Sequence, residues 1–280
     1  SLVNGAEVLD LTPDRGMLGW LRRNGHRPFL VDWGAPGAAG LEFSLTDYVC
    51  DRLGQVLDTV IAASTEAPAL VGYCMGGNLA LALALRRQED LSGLALLATP
   101  WDFHGGGQQW PEIETLAPGL DDILKAFGAL PIDVLQALFA ALDPGLAQRK
   151  FRHFATLDAD GAEAAHFVAL EDWVNDGVPL APKVARDCLL GWYGHNDTFE
   201  GRWSIDDIVV DPSALERPVF LAIPENDRIV PAASAQALAD ALPQAEVVRP
   251  KAGHIGMVVG RRGQSGLWQP LSRWLEKLSL

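Results

Sequence analysis

A mostly parallel β-sheet covered by helices, broken once by a mainly helical insertion, is the fold class this sequence predicts. Three observations carry it. Short continuous apolar runs alternate with helix-patterned stretches, which is how strands buried on both faces of a parallel sheet read. The alternation stops near Pro100 and resumes near Pro218, with a Trp-, Pro- and Gly-punctuated stretch between. The apolar run Ala67 to Tyr73 ends in Gly72-Tyr73-Cys74-Met75-Gly76-Gly77, a glycine-rich turn that places a cysteine ahead of a small-residue helix.

In chain order, Pro28 to Trp33 follows a polar turn and reads as a buried strand. Thr46 to Ala62 carries apolar residues at helical spacing, with Ser44 or Thr46 as N-cap. Ala67 to Tyr73 is the next strand, Asn78 to Arg87 a helix, and Leu94 to Thr99 a third strand. After the break come a strand over Pro218 to Ile223, a helix over Ala232 to Leu242, a strand over Ala245 to Arg249 and a final helix from Gly266 to Leu278. The expected division is a core of residues 1–99 and 218–280 around a mainly helical cap, 100–217, in which no buried strand is convincing.

Composition narrows the function. The chain has 280 residues, 49% hydrophobic and 21% charged, an ordinary globular balance. Its net charge of −14 argues against a nucleic-acid partner, which calls for a basic patch or stripe, and against an anionic membrane surface. Three widely spaced cysteines (Cys50, Cys74, Cys188) form neither a disulfide framework nor a metal cluster and fit a reducing, cytoplasmic setting. There is no transmembrane run and no signal peptide; the start at Ser1 reads as a chain trimmed from something longer.

The cysteine turn has the form of the nucleophile elbow of α/β-hydrolases, with sulfur in place of oxygen. A thiol nucleophile needs a base within hydrogen-bond reach and a third group to orient that base. Asp227 lies just past the strand ending at Ile223, and His254 just past the strand ending near Arg249, in the order nucleophile, acid, histidine. Each also has a plainer reading: Cys74 as an inert small hydrophobe, Asp227 as a helix cap, His254 as a structural histidine. Their order and loop positions together favour the catalytic one. Met75 N–H is expected to donate to an oxyanion, with a second donor near the chain's beginning at Val3 or Asn4. Cys50 and Cys188 read as packed residues. His26, His153, His166 and His195 carry no motif, and Asp32 and Trp33 read equally well as structural.

With these residues in place, the chain resembles the polyhydroxyalkanoate synthases, cysteine-dependent polymerases of bacterial storage polyester with an α/β-hydrolase fold. The likeness runs through Leu2-Val3-Asn4 and Val8-Leu9-Asp10-Leu11, Gly25-His26 to Val31-Asp32-Trp33, the cysteine box, Trp173 to Asp176, Asp227-Arg228-Ile229-Val230-Pro231 and Gly253-His254-Ile255. It departs where Arg228 replaces the family's histidine and where Met257-Val258-Val259-Gly260 replaces Asn-Pro-Pro. The resemblance implies Cys74 as nucleophile, Asp227 as orienting acid and His254 as general base. It implies a (3-hydroxyacyl)-coenzyme A substrate whose acyl group passes through Cys74 to a hydroxyl acceptor. Coenzyme A enters only as part of that substrate, and no further cofactor or metal is called for. Arg149, Lys150 and Arg152 are cations at hand for its phosphates, although a solvated helix face accounts for them equally well.

Other readings stay open at this point. A polyester depolymerase or thioesterase differs only in admitting water. A dienelactone-hydrolase-like esterase shares the cysteine elbow but lacks a large cap, whereas more than half of this chain separates Cys74 from Asp227. A granule-associated module with a vestigial site is the non-enzymatic alternative. Association as a homodimer, and with a polyester granule surface, stays open too.

Overall fold

The computed structural model describes residues 3–107, 113–141 and 145–278; Leu2, which opens one of the resemblance segments, lies outside them. After a 3-10 turn at Ala6–Asp10 come helix α1 (Met17–Arg23), α2 (Gly54–Ala62), strand β1 (Ala69–Tyr73), α3 (Met75–Arg86) and strand β2 (Gly93–Leu97). Between β2 and the next core strand lie α4 (Ile113–Phe127), α5 (Ile132–Ala141), α6 (Leu146–Phe154), α7 (Ala162–Asn175) and α8 (Pro182–Arg186). A π-helical turn (Asp187–Gly194) and a two-residue hairpin, β3 (Ser204–Ile205) with β4 (Ile208–Val209), complete that stretch. The chain ends with β5 (Val219–Ala222), α9 (Ala232–Ala241), β6 (Glu246–Val248), α10 (Gly256–Val259) and α11 (Gln269–Leu278).

The expected parallel sheet is present, in the order β1-β2-β5-β6. Every residue of β2 and β5 is buried, which is why these runs are apolar without alternation. α3 follows β1 directly and packs on β1 and β2. Trp274 of α11 lies against Phe220 of β5, with ring centroids 5.7 Å apart. Register decides what the sheet presents. Tyr73, Leu97, Ala222 and Val248 form one row across it, so the segments that leave β1, β5 and β6 emerge at the same end. Those segments carry Cys74, Asp227 and His254.

One expected strand is absent. Pro28 to Trp33 forms no ladder, and Phe29, Leu30 and Trp33 are each at least 40% exposed. A short apolar run becomes a strand only where a neighbour completes its hydrogen bonds. Among the described residues β1 pairs with β2 alone, and Val71 on that edge is 39% exposed. The helix expected over Thr46 to Ala62 is present, but Asp47–Leu53 is π-helical. Ser44 caps it: Ser44 N donates to the Asp47 carboxylate at 2.7 Å, and Asp47 N donates to Ser44 Oγ at 3.3 Å. The β3–β4 hairpin escaped the sequence reading. Asp206 and Asp207 both take positive φ, the conformation a two-residue turn of this kind needs.

Candidate active site

β1 delivers the chain to Cys74 and α3 takes it away, with no residue between. To turn that sharply, Cys74 adopts φ 56° and ψ −134°, a conformation that L residues rarely hold. The surrounding bonds enforce it: Cys74 N donates to Leu97 O at 2.8 Å, and Gly77 N donates to Cys74 O at 2.9 Å. Two glycines make the turn sterically feasible. A Cβ on Gly72 would lie 2.5 Å from Gly77 Cα, and one on Gly77 would lie 1.9 Å from Thr99 Oγ1. The cysteine therefore stands at the N-terminus of a 12-residue helix, where free backbone N–H groups favour negative charge.

Asp227 and His254 come from loops that are tied together. Glu225 N donates to Pro250 O at 3.0 Å, and Asn226 N to Ala252 O at 3.1 Å. Asp227 Oδ1 accepts from Ile229 N (2.9 Å) and Val230 N (2.8 Å), while Oδ2 pairs with His254 Nδ1 at 2.6 Å. The carboxylate thus holds its own loop with one oxygen and the imidazole with the other. It does not cap α9, whose N-cap is Pro231. Cys74 is hydrogen-bonded to the same imidazole. All three residues are buried, at 7%, 9% and 7% exposure for Cys74, Asp227 and His254.

Charge follows from this geometry. Burial alone pushes the Cys74 thiol up, but the adjacent His254, its hydrogen bond and the Met75 N–H outweigh burial and leave the thiol below its ordinary value. Burial likewise works against a charged His254. The Cys74 thiolate and the Asp227 hydrogen bond prevail and raise it to about 10. Both shifts favour a thiolate–imidazolium pair near neutral pH. Burial instead raises the thiols of Cys50 and Cys188. Iodoacetamide is therefore expected to label Cys74 selectively. Because its thiol is depressed, its labelling rate should reach its plateau at a lower pH than that of an ordinary thiol. An ordinary thiol would keep gaining rate up to about pH 8.5. Peptide mapping by mass spectrometry across pH checks this, and equal labelling of Cys188 would contradict it.

The remaining expected residues fare differently. Met75 is buried, and its N–H faces Cys74. The Asn4 side-chain amide donates to Trp173 O (2.8 Å) and Val174 O (3.0 Å), tying the start of the chain to the end of α7. Lys150 pairs with Glu171 at 2.6 Å, and the helix that carries Arg149, Lys150 and Arg152 has no buried residue. Two tyrosines went unremarked in the sequence. Tyr73 donates its hydroxyl to His254 O at 3.3 Å, and its ring centroid lies 5.0 Å from the imidazole. Tyr193, in the π-helical turn, is half-buried, and its phenol is pushed up, first by burial and then by the charge of Cys74. Tyr73 sits inside the cysteine box and was open to notice, whereas nothing local marks Tyr193. A separate cavity of about 370 Å³, lined by Leu45, Arg186, Leu190, Arg202 and Trp203 among others, touches none of the three central residues. Among the described residues no cluster of His, Cys, Asp and Glu is placed to hold a metal, and no helix is long and apolar enough to cross a membrane.

Comparison with known proteins agrees with the fold. A family model described as alpha/beta hydrolase fold matches residues 14–260. The chain is 29% identical over its whole length to a poly(3-hydroxyalkanoate) polymerase subunit PhaC of Haloferax mediterranei, covering 58% of that protein. It is 29% identical to the protein of the same name from Synechocystis sp., with 99% of this chain and 76% of that one covered. Among solved structures, a monoacylglycerol lipase of Paleococcus ferrophilus superposes with a TM-score of 0.60 at 15% identity, covering 94% of this chain and 88% of the lipase. The chain thus spans well under two thirds of the Haloferax polymerase subunit it matches.

Proposed function

The chain belongs to the α/β-hydrolase fold family, and on that premise we propose that it is an acyltransferase of the polyhydroxyalkanoate synthase type. The observation that supports this most is the buried, depressed Cys74 thiol hydrogen-bonded to an imidazole that Asp227 orients. Similarity to polymerase subunits over the whole chain adds the reaction class.

In this reading the Cys74 thiolate attacks the carbonyl of a (3-hydroxyacyl)-coenzyme A thioester. The coenzyme A sulfur leaves with the proton that His254 holds, and a Cys74 thioester remains. The hydroxyl of a second acyl unit then gives its proton to His254 and attacks that thioester. An ester forms, and Cys74 departs as thiolate. Sulfur suits both halves, since one thioester is exchanged for another before the ester-forming step. Met75 N–H, beside the sulfur, is the donor at hand for the transient oxyanion. Residues 100–217 act as a cap over a core of 1–99 and 218–280, and Tyr193 is the cap residue whose phenol senses Cys74. Burial of all three reacting groups favours transfer to a hydroxyl over transfer to water.

Incubation with 3-hydroxybutyryl-coenzyme A tests the proposal, with free coenzyme A and product size followed together. Coenzyme A release with chain growth is the expected result. Release with monomeric 3-hydroxybutyrate would replace the synthase reading by a thioesterase. No release, with Cys74 unacylated, would remove both.

A further inference from the structure

We propose that Arg15 and Arg261 form a subsite for the phosphates of a phosphorylated carrier thioester, and that Glu163 occupies it as an internal competitor until substrate arrives. The proposal rests on the acyltransferase reading for the identity of the carrier, not for the existence of the site.

Three segments far apart in sequence meet here. Arg15 lies between the first 3-10 turn and α1, Arg261 just past α10, and Glu163 in the first turn of α7. A single oxygen of Glu163, Oε1, takes both guanidiniums: Arg15 through Nη2, and Arg261 through Nη2 at 2.8 Å and Nε at 3.2 Å. One carboxylate cannot use the donors of two guanidiniums, and the group keeps a net positive charge. In every other described ion pair the carboxylates equal or outnumber the cations: Arg87, for example, faces both Asp58 and Asp90, and Arg202 both Asp197 and Glu200. A chain of net charge −14 repels a multiply charged anion unless a local site offsets it. This cluster is the cationic excess among the described pairs.

Its place and geometry suit a phosphate. Arg261 follows His254 by one short helical turn, so the two Cα atoms are at most about 20 Å apart. That is within reach of the pantetheine arm linking a carrier's thiol to its phosphates. Paired guanidiniums bind phosphate through parallel N–H bonds, and a dianion outcompetes a single carboxylate. Arg261 is 72% exposed and Glu163 37%, so an incoming anion can reach the pair and displace the carboxylate. One turn along α7, His166 holds a buried Nδ1 without a hydrogen-bond partner, and Arg15 and Glu163 are the charges that act on it. By contrast, Lys150, proposed from sequence for the same task, is neutralised by Glu171.

Equilibrium binding of coenzyme A, with pantetheine as the phosphate-free control, is the test. It uses the wild-type chain and the variants Arg15→Gln, Arg261→Gln and Glu163→Gln, with circular dichroism confirming each fold. Arg261→Gln changes an exposed side chain and should leave folding intact. Either arginine variant is expected to weaken coenzyme A binding about 10-fold or more. Glu163→Gln is expected to tighten it, and pantetheine binding should be indifferent to all three. Wild-type affinity in both arginine variants, or no coenzyme A binding in either the wild type or Glu163→Gln, would overturn the subsite. If coenzyme A binds as expected but its thioester leaves Cys74 unacylated, the subsite stands and the acyltransferase reading fails.

Discussion

Coenzyme A release from 3-hydroxybutyryl-coenzyme A is expected to fall by roughly 10⁴-fold or more in Cys74→Ala, with no acyl adduct on the protein. The argument is one of supply. His254 and Asp227 would remain paired at 2.6 Å, because their contact is made by loops after β5 and β6 and not through the cysteine. The site would then have lost the thiolate that attacks the carbonyl and carries the acyl group. Stability should change little. Alanine inherits the same positive φ, and loss of one small sulfur leaves only a minor cavity, worth about 1 kcal/mol. Cys74→Ser sharpens the test. It keeps the elbow and a hydroxyl beside His254 but gives up the thiolate, so the acyl adduct should form far more slowly. Intact-protein mass spectrometry reads both results. Near-wild-type release in Cys74→Ala would move the nucleophile elsewhere, and Cys50 and Cys188, whose thiols are raised by burial, are poor replacements.

Why these residues were legible in the sequence, and others were not, has a physical basis. The elbow announces itself because the turn tolerates no Cβ at Gly72 or Gly77, so the backbone constraint is written directly as residue type. β2 and β5 are legible because full burial on both faces removes any need for polar residues. Asp227 and His254 could be placed because a parallel sheet sends its loops out at one end, and sequence position after a strand then becomes position in space. Pro28 to Trp33 shows the limit. Its composition is that of a strand, but a strand is a property of two neighbours, and no pairing for it is present among the described residues. The π-helical turns at Asp47–Leu53 and Asp187–Gly194 share the apolar pattern of α-helices and differ only in hydrogen-bond register. The Arg15–Glu163–Arg261 cluster joins residues 148 and 98 positions apart, which no local pattern encodes.

Asp227→Asn should leave the backbone of the site in place and still slow turnover by about 10⁴-fold, the scale expected when an imidazole is held in the wrong tautomer. Asp227 has two separate duties. Its Oδ1 accepts from Ile229 N and Val230 N, and an asparagine carbonyl can do the same, so the loop should keep its shape. Its Oδ2 accepts from His254 Nδ1 at 2.6 Å, which fixes the proton on that nitrogen and leaves the other free to take one from Cys74. An asparagine NH₂ in that position donates instead. His254 Nδ1 must then accept, its proton moves to the other nitrogen, and the group facing the thiol loses its basicity. The loss of negative charge acts in the same direction, since the Asp227 hydrogen bond and charge are among the causes that raise His254. A less basic His254 stabilises the Cys74 thiolate less, so the thiol should return towards its ordinary value. Iodoacetamide labelling should then fall at neutral pH and recover as the solution is made alkaline. That recovery separates a tautomer defect from a collapsed site. Labelling that stays low at every pH would mean the loop had moved, and labelling unchanged from wild type would mean that Asp227 does not orient the base.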